Sequence, residues 1–530
     1  MSHEFKNQAE HDAYVEERKK NSTIWGVIMA SSLGTLIEWY DFFIFGSLAV
    51  VLSTKFFPAD NPTAAFLSTL ATFAAGFVVR PFGALFFGRL GDMIGRKYTF
   101  LVTLLIMGFS TFLIGCIPSY ETIGFLAPVL VLILRLLQGL ALGGEYGGAA
   151  TYVAEYAQDH RRGYWTSWIQ TTATLGLFVS LAVILMTKTS LTPEEFDSWG
   201  WRIPFWVSIL MVGVSYVIRR NMKESPLFAK AKKEGKTSSN PLKESFGNKY
   251  NFKFVLLALF GAVMGQGVVW YTGQFYAMSF LQKVMNVESA QVDSIMALAL
   301  FLGTPLFVLF GWLSDKVGRK NIILLGMLLA IFAYRPIYRA MYHSVNTEEK
   351  VLVKDGVTEK RTVKVHDKIA GDSLITFHTE KTFTDGALLK KDSIVYWSPK
   401  GEVLNAEGKQ EAAKVTKALT VDSSTRWKLV GLLFLQLIFV TMVYGPIAAF
   451  LVEMFPIRIR YTSMSLPYHI GNGIFGGLLP AVATYLVTNT QTSGKAEWYL
   501  EGLWYPIIVA AVSLVIGFFY LNGKDRNVQD

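Results

Sequence analysis

Five ionisable side chains interrupt long apolar runs in the first part of the sequence: Glu38, Asp41, Arg80, Arg135 and Glu145. Glu38 and Asp41 are one turn apart on a helix and therefore lie on one face. A charge at membrane depth costs on the order of a few kcal/mol or more unless it is paired or hydrated. Each acid therefore requires a partner, and the arginines are the candidates.

These charges could carry out proton-linked binding. If a bound carboxylate takes the arginine, the acid is free to bind a proton, so that proton and ligand bind together. The residue types therefore predict a proton relay of Glu38, Asp41, Arg135 and Glu145, with Asp41 or Glu38 as the preferred proton carrier and Glu145 as the third choice. The alternative is a set of structural ion pairs that hold the helices together.

Candidate ligands for a substrate lie in the segment "MGQGVVWYTGQFYAM". Gln266, Trp270 and Gln274 recur every four residues and would share a helical face. Their amides could donate to a carboxylate and the aromatic rings could bind a quaternary ammonium, whereas ordinary helix packing is the alternative. The predicted substrate-binding residues are Arg80, Tyr40, Gln138, Gln266, Trp270, Tyr271 and Gln274.

One charged stretch occurs twice, as "FGRLGDMIGRK" from Phe87 and "FGWLSDKVGRK" from Phe310. The acid in each copy can face the N-terminus of a helix in the other half of the molecule, and the arginine can hold the loop through charge-assisted hydrogen bonds. Such contacts would close one side of a membrane protein in one state and break in the other. A purely topogenic cluster would not require the matched acids and glycines. The predicted gating residues are Gly88, Asp92, Gly95, Arg96, Lys97, Gly311, Asp315, Gly318, Arg319 and Lys320.

The composition indicates which elements position these residues. Of 530 residues, 52% are hydrophobic and only 17% are charged, which is typical of a polytopic membrane protein. The net charge of +10 is concentrated at the ends of apolar runs, which favours the cytoplasmic lipid surface over nucleic acid as a partner. Cys116 is the single cysteine, so a disulfide within the chain is excluded and a cysteine-based metal site is implausible.

Twelve apolar runs are long enough to cross a bilayer, and they must be helices because lipid cannot satisfy an open sheet. Lysines and arginines in the short loops place both termini in the cytoplasm. The predicted ranges are a cytoplasmic tail 1–23, a six-helix bundle 24–219, a cytoplasmic linker 220–252, the first part of a second bundle 253–342, an insert 343–427, the rest of the second bundle 428–521, and a cytoplasmic tail 522–530.

The insert 343–427 has a different pattern. Segments such as "KRTVKVHD" alternate apolar and polar residues and are separated by turn residues, which predicts β-hairpins. The segment "NAEGKQEAAKVTKALT" predicts a short helix. The fold class that we expect is an all-α integral membrane protein with twelve helices in two six-helix bundles and a small extracytoplasmic α+β insert.

Equivalent charged stretches at the same step of two halves indicate a parallel internal repeat. Moreover, "GTLIEWYDFFIFG", "GFVVRPFGALFFGRLGDMIGRK", "RLLQGLALGGEYGGAATYVAEY" and "WGWRIPFW" resemble the metabolite:proton symporter family of the major facilitator superfamily, which includes proline/betaine, 2-oxoglutarate, citrate and shikimate carriers. The resemblance covers nearly the whole chain outside the insert. It implies alternating access in the plasma (inner) membrane, and it associates the Arg135, Gln138 and Gly139 pattern with proton coupling.

We therefore expect a proton-coupled symporter that imports a small carboxylate metabolite, because Arg80 and Arg135 can pair with a carboxylate. A proline/betaine-type osmolyte importer is the second hypothesis, and a non-transporting sensor whose insert binds a ligand is a remote third. No nucleophile–base set stands out, so an enzyme is not expected. The expected partners are a small-molecule substrate, a proton and membrane lipid, with no nucleic acid, metal or cofactor, and the transport unit is expected to be a monomer.

Overall fold

The computed structural model describes residues 8–57, 62–220, 222–365, 373–398, 401–402, 414–491 and 493–521. The predicted tail 522–530 lies outside these residues. The first helix begins at Gln8, so part of the region predicted as a polar N-terminal tail continues this helix.

The N-terminal half contains six membrane segments, which we name α1 to α6. They are α1 (Gln8–Ser47), α2 (Pro62–Val78 and Arg80–Met93), α3 (Arg96–Ile114), α4 (Leu126–Tyr156), α5 (Arg162–Gln170 and Thr172–Ser190) and α6 (Ile203–Arg220). Segment α2 is divided at Val79, one residue before Arg80-Pro81, because the proline lacks an N–H and disfavours helical backbone in the preceding residue. Short helices at Ala49–Phe56, Tyr120–Ile123 and Pro193–Ser198 connect the segments, and Pro226–Lys233 belongs to the linker.

The C-terminal half contains α7 to α12. They are α7 (Lys249–Val284), α8 (Ser289–Val317), α9 (Arg319–Val345), α10 (Ser423–Tyr444 and Ile447–Met454), α11 (Arg460–Ile470 and Leu479–Gln491) and α12 (Trp504–Tyr520). Segment α7 contains wide π-helical turns at Leu259–Val263, Thr272–Tyr276 and Phe280–Val284, and α11 contains one at Gly471–Gly476. Such turns rotate the side chains that follow them relative to a regular α-helix.

Among the described residues, eleven helical segments are long and apolar enough to cross a membrane. The two parts of α2 have 17 and 14 residues, so neither reaches that length alone. Together they form the remaining predicted span. The prediction of a helical membrane protein built from two six-helix halves is confirmed.

The insert forms an antiparallel sheet of β1 (Leu352–Val365), β2 (Ser373–Phe383), β3 (Leu388–Ser398), β4 (Gly401–Glu402) and β5 (Lys414–Thr420). The order is β1-β2-β3-β4, and β5 also pairs with β3. The prediction of a helix that reaches residue 420 is wrong, because residues 414–420 are a strand. Residue types alternate along "KVTKALT", and Leu419 is buried. Both features are expected of a strand with one buried face.

The sheet is joined to the end of the second half that lies opposite the repeated stretches. The backbone N–H of Leu419 donates to the carbonyl of Asn286 at 2.7 Å, and Glu288 donates to the carbonyl of Leu419 at 3.0 Å. Phe383, Leu419 and Val421 belong to the apolar core of the C-terminal half. The insert therefore continues the core of this half. We call this side of the molecule the insert end.

Candidate functional site

Glu38 and Arg80 form an ion pair between α1 and α2. Arg80 Nη1 lies 3.3 Å from Glu38 Oε1, and the two side chains keep 15% (Arg80) and 9% (Glu38) of their exposure. Glu38 and Arg80 lie within electrostatic range of Tyr271 of α7, and Glu38 also lies within that range of Tyr444 and Tyr468 of the C-terminal half. The pair therefore lies at the boundary between the two halves.

Aromatic side chains from both halves surround this pair. Tyr146 of α4 stacks on Tyr468 of α11 with ring centroids 3.7 Å apart, and the hydroxyls of Tyr468 and Tyr444 are 2.7 Å apart. Trp39 of α1 lies 5.2 Å from Trp270 of α7. These rings form a wall that combines apolar faces with hydroxyl groups, which suits a small polar ligand.

Asp41 has a more closed environment. Arg135 Nη1 donates to Asp41 Oδ2 at 2.9 Å, and Gln138 Nε2 donates to Asp41 Oδ1 at 2.9 Å. The Gln138 amide also donates to Thr111 at 2.6 Å. All four side chains are buried within the N-terminal half, so both carboxylate oxygens of Asp41 are already satisfied.

Glu145 forms a second buried ion pair, with Arg219. Its carboxylate accepts from Arg219 Nη2 at 2.7 Å and from the Thr103 hydroxyl at 2.9 Å. Arg219 also donates to the carbonyls of Ala30 and Phe100. The partner of Glu145 is thus an arginine at the end of α6 and not one of the arginines considered from the sequence. Of the three predicted acids, Glu38 keeps the largest exposure.

The four residues of α7 that were predicted to bind a substrate have different environments. The amides of Gln266 and Asn472 donate to each other at 3.0 and 3.1 Å, and Trp270 lies against Tyr444 at 5.9 Å. Gln274 lies in the π-helical turn Thr272–Tyr276, so the four-residue spacing that predicted a shared face does not describe it. Tyr271 is half-buried near the Glu38–Arg80 pair.

Tyr40 lies apart from this group. Its hydroxyl donates to the carbonyl of Pro204 at 2.6 Å, and its ring is buried in the apolar core of the N-terminal half with Ile44 and Phe45. Two residues along a helix correspond to about 200°, so Glu38 and Tyr40 point in nearly opposite directions. The geometry therefore does not support the prediction that Tyr40 binds a substrate.

The first repeated stretch contacts α11 of the other half. Asp92 accepts from the backbone N–H of Thr462 at 2.8 Å and of Tyr461 at 3.3 Å, and it pairs with Arg96 at 2.8 Å. Arg96 donates to the carbonyl of Ile457 at 2.7 Å. Gly95 has φ +144°, which L-residues rarely adopt. We call Gly88, Asp92, Gly95, Arg96 and Lys97 the first latch.

The second repeated stretch makes the reciprocal contact with α5. Asp315 accepts from the backbone N–H of Gly163 and of Tyr164, both at 2.8 Å, and it pairs with Arg319 at 3.2 Å. Gly318 has φ +103°. The second latch consists of Gly311, Asp315, Gly318, Arg319 and Lys320, and we call this side of the molecule the latch end.

The remaining matched residues also have equivalent environments. A Cβ on Gly88 would meet the backbone of Thr462, and a Cβ on Gly311 would meet Ser167, so both glycines permit the close crossing of a helix from the other half. Lys97 donates to the carbonyl of Arg220 at the end of α6, and Lys320 donates to that of Phe518 at the end of α12, both at 2.9 Å. The two halves are thus joined at the latch end in this structure.

Comparisons with known proteins agree with this architecture. The family model described as "Sugar (and other) transporter" matches residues 26–249. The inner membrane metabolite transport protein YhjE of Escherichia coli (strain K12) is 30% identical over 474 residues, which cover 87% of this chain and 88% of that protein. The alpha-ketoglutarate permease of the same organism is 37% identical over 320 residues, which cover 60% of this chain and 72% of the permease.

The chain belongs to the metabolite:proton symporter family of the major facilitator superfamily. The proline/betaine transporter of Escherichia coli (strain K12) is 29% identical over 504 residues, covering 92% of this chain and 82% of that protein. The solved proton:xylose symporter XylE of the major facilitator superfamily matches with a TM-score of 0.60 at 16% identity, over 94% of this chain and 95% of that chain, which shows the same fold. This symporter-family chain is a multi-pass membrane transporter of small molecules and not an enzyme.

Sequence reasoning did not identify four charged residues that complete the latches of this symporter-family chain. Glu155 pairs with Arg460 of the other half at 3.1 Å and with Arg96 at 3.5 Å. Glu453 pairs with Arg319 at 2.7 Å and with Arg162 of the other half at 3.7 Å. A signal was present in the sequence, because Glu155 precedes Arg162 by the same spacing as Glu453 precedes Arg460.

Proposed function

We propose that this protein is a proton-coupled symporter that imports a small carboxylate metabolite by alternating access. The observation that carries the proposal is the Glu38–Arg80 pair, which lies between the two halves and keeps partial exposure at a separation of 3.3 Å. Asp41 and Glu145 are held in shorter pairs whose side chains keep at most 5% exposure, so Glu38 is the acid whose partner a ligand can take with the least disruption.

The proposed coupling follows from competition for one arginine. A substrate carboxylate that binds Arg80 draws the guanidinium away from Glu38. The Glu38 carboxylate then lies in a poorly solvated site without its partner, and a proton neutralises it. Substrate and proton thus favour each other's binding, which is the thermodynamic requirement for symport. The cluster of Tyr146 from the N-terminal half and Tyr444 and Tyr468 from the C-terminal half would close over the ligand.

The direction of transport depends on the orientation of the chain. The short loops at the latch end contain most of the loop lysines and arginines, so we place this end and both termini in the cytoplasm. The insert is then extracytoplasmic. Both latches hold the halves together at the cytoplasmic side, so this arrangement corresponds to a state closed toward the cytoplasm. One chain contains both halves of the site, so we propose the monomer as the transport unit.

A zwitterionic osmolyte is the second candidate substrate. Trp39 and Trp270 lie 5.2 Å apart beside the ion pair, and aromatic faces bind quaternary ammonium groups. Arg80 would bind the carboxylate of such a molecule in the same way. The relatives include both an alpha-ketoglutarate permease and a proline/betaine transporter, so the two candidates are compared directly in the experiment.

The test is uptake into proteoliposomes under an imposed proton gradient, with labelled substrate and unlabelled 2-oxoglutarate or glycine betaine as competitors. We expect 2-oxoglutarate to compete, whereas competition by glycine betaine alone would select the second candidate. Glu38→Gln should lower gradient-driven accumulation about tenfold or more, because one pH unit is worth about 1.4 kcal/mol per proton, while exchange of substrate across the membrane continues.

Two control variants make the outcome decisive. Glu38→Asp keeps a carboxyl group and should retain gradient-driven accumulation. Asp41→Asn tests the other predicted proton carrier, and it should keep accumulation when membrane insertion is normal. Full accumulation by Glu38→Gln, or its loss in Asp41→Asn alone, would refute the assignment of the proton to Glu38. Ligand binding without uptake by the wild type would instead favour a sensor.

A further inference from the structure

Three buried polar atoms at the boundary between the two halves have no hydrogen-bond partner in the part of the chain that the structure describes. They are Nε of Arg80, Nε1 of Trp270 and Nε2 of His469. Trp270 keeps 3% and His469 keeps 4% of its exposure. A buried polar atom without a partner costs free energy, so a group of such atoms at one site indicates a ligand that completes their hydrogen bonds.

His469 lies on α11, where this helix packs against α2 and α4 of the N-terminal half. Its ring lies beside the backbone carbonyl of Gly143 and within electrostatic range of Arg80. A Cβ on Gly143 would meet the carbonyl oxygen of Arg80, so these three residues are close neighbours. The ring of Tyr468, which belongs to the aromatic wall, lies 5.2 Å from the His469 ring. His469 therefore belongs to the same site as the Glu38–Arg80 pair.

The three unpartnered side chains differ in what they can bind. The guanidinium of Arg80 and the indole of Trp270 carry N–H groups that only donate, whereas a neutral imidazole presents one N–H and one lone pair. The neutral form suits His469, because a second positive charge would be buried near that of Arg80. The Gly143 carbonyl only accepts, so it favours the tautomer whose N–H is directed toward it. The other ring nitrogen of His469 is then an acceptor.

We propose that His469 selects substrates that carry an O–H or N–H donor beside their carboxylate. The inference rests on the part of the proposed function that places the substrate carboxylate on Arg80. Trp270 donates to this carboxylate from α7, and the lone pair of His469 accepts from a hydroxyl or ammonium group of the same ligand. Small hydroxy- or amino-carboxylates are therefore preferred. An oxo acid or a quaternary betaine still reaches Arg80 but leaves His469 without a partner.

The experiment is isothermal titration of the purified full chain with two matched pairs of probes. Either enantiomer of 2-hydroxyglutarate differs from 2-oxoglutarate by a hydroxyl donor, and dimethylglycine differs from glycine betaine by an N–H donor. In at least one pair, we expect the donor-bearing probe to bind about tenfold more tightly, because its partner leaves a buried acceptor unpaired. Equal dissociation constants within both pairs, or no binding of any probe, would overturn the inference.

His469→Phe keeps a ring of similar size and removes the acceptor. The two probes of the pair should then bind equally, mainly because the donor-bearing probe binds more weakly. The substrate-free variant should still unfold cooperatively, at the same or a higher temperature, because it no longer buries an unpartnered nitrogen. His469→Gln supplies an amide oxygen as an acceptor, so it should recover part of the preference.

His343→Phe is the matched control, because His343 lies at the insert end of α9, keeps 49% of its side-chain exposure and pairs with Glu349. It should keep the wild-type preference. A preference that survives in His469→Phe, or one that is lost equally in His343→Phe, would contradict the role of His469. If the wild type keeps the preference but shows no proton-driven uptake, the proposed coupling is refuted and the selection by His469 is supported.

Discussion

In the first latch, the side chains of Asp92, Arg96 and Glu155 are withdrawn completely from solvent. In the second latch, Arg319 keeps 12% and Glu453 keeps 33% of its side-chain exposure. The ion pairs that cross between the halves differ in the same direction. Arg460 lies 3.1 Å from Glu155, whereas Arg162 lies 3.7 Å from Glu453.

The linker accounts for part of this difference. The Glu224 carboxylate accepts from the backbone N–H of Arg96 at 3.2 Å and of Lys97 at 3.3 Å, at the N-terminus of α3. The Phe228 ring lies 4.4 Å from the Arg96 guanidinium, and the Ser225 hydroxyl donates to Glu155. The linker thus covers the first latch, whereas Asp315 of the second latch lines an open cavity together with Trp312 and Lys316.

Nearly identical stretches of sequence therefore form contacts of unequal strength. A hydrogen bond to a buried charge stabilises the structure more than a hydrogen bond to an exposed charge. Removing one partner of a buried ion pair also leaves the other charge uncompensated. We infer that the first latch contributes most of the closure at the latch end. The second latch is the more easily opened.

The strongest test of this inference is Asp92→Asn. The substitution removes the charge that faces the N-terminus of α11 and leaves buried Arg96 with one acid fewer. Opening at the latch end should become easier by about 3 kcal/mol, or roughly a hundredfold. The measurement is the rate at which a water-soluble maleimide labels Ser465→Cys, a position buried against Gly147 of the other half, in a Cys116→Ser background.

The reporter requires a control for folding. Thermal unfolding of the same protein should remain cooperative, and substrate binding should change less than turnover, because the latch lies outside the substrate site. A labelling rate for Asp92→Asn equal to that of the unsubstituted reporter would show that the first latch does not hold the latch end closed.

The acids and glycines of the latches could be predicted because the chain contains them twice. A charge next to a helix end has few possible roles in lipid, and the repeat indicated that Asp92 and Asp315 act across two equivalent halves. Twelve spans were predictable for a similar reason, since bilayer thickness sets the required length. The reciprocal pairing of each acid with a helix N-terminus followed from the helix dipole.

The pairing of the other charges was harder to predict from the sequence. Arg219 lies at the end of α6, yet it reaches Glu145 of α4, and no local spacing indicates which arginine meets which acid across three dimensions. The π-helical turns of α7 moved Gln274 out of the predicted face. A four-residue periodicity assumes a regular α-helix and therefore does not predict such turns. Residues 414–420 pair with β3, and this long-range pairing could not be seen in a segment whose first residues favoured helix.

Asp315→Asn should have a smaller effect than Asp92→Asn. The same two backbone hydrogen bonds are weakened, but Arg319 and Glu453 are partly hydrated and can reorganise with water. We expect maleimide labelling of the Ser465→Cys reporter to rise roughly tenfold, which corresponds to about 1.4 kcal/mol. An effect as large as that of Asp92→Asn would contradict the unequal division of closure between the two latches.

Glu224→Gln should have the smallest effect of the three. A carboxylate at a helix N-terminus is worth about 0.3–1 kcal/mol, so labelling of the reporter should rise about twofold to fivefold. The matched control is Glu234→Gln on the same linker. A hydrogen bond from Lys236 lowers the pKa of Glu234, so Glu234 is ionised and its substitution also removes a charge. Glu234 pairs only with linker lysines among the described ion pairs, so this variant should label like the parent. If both variants label alike, the linker does not strengthen the first latch, and burial within the two halves must account for the whole difference between the latches.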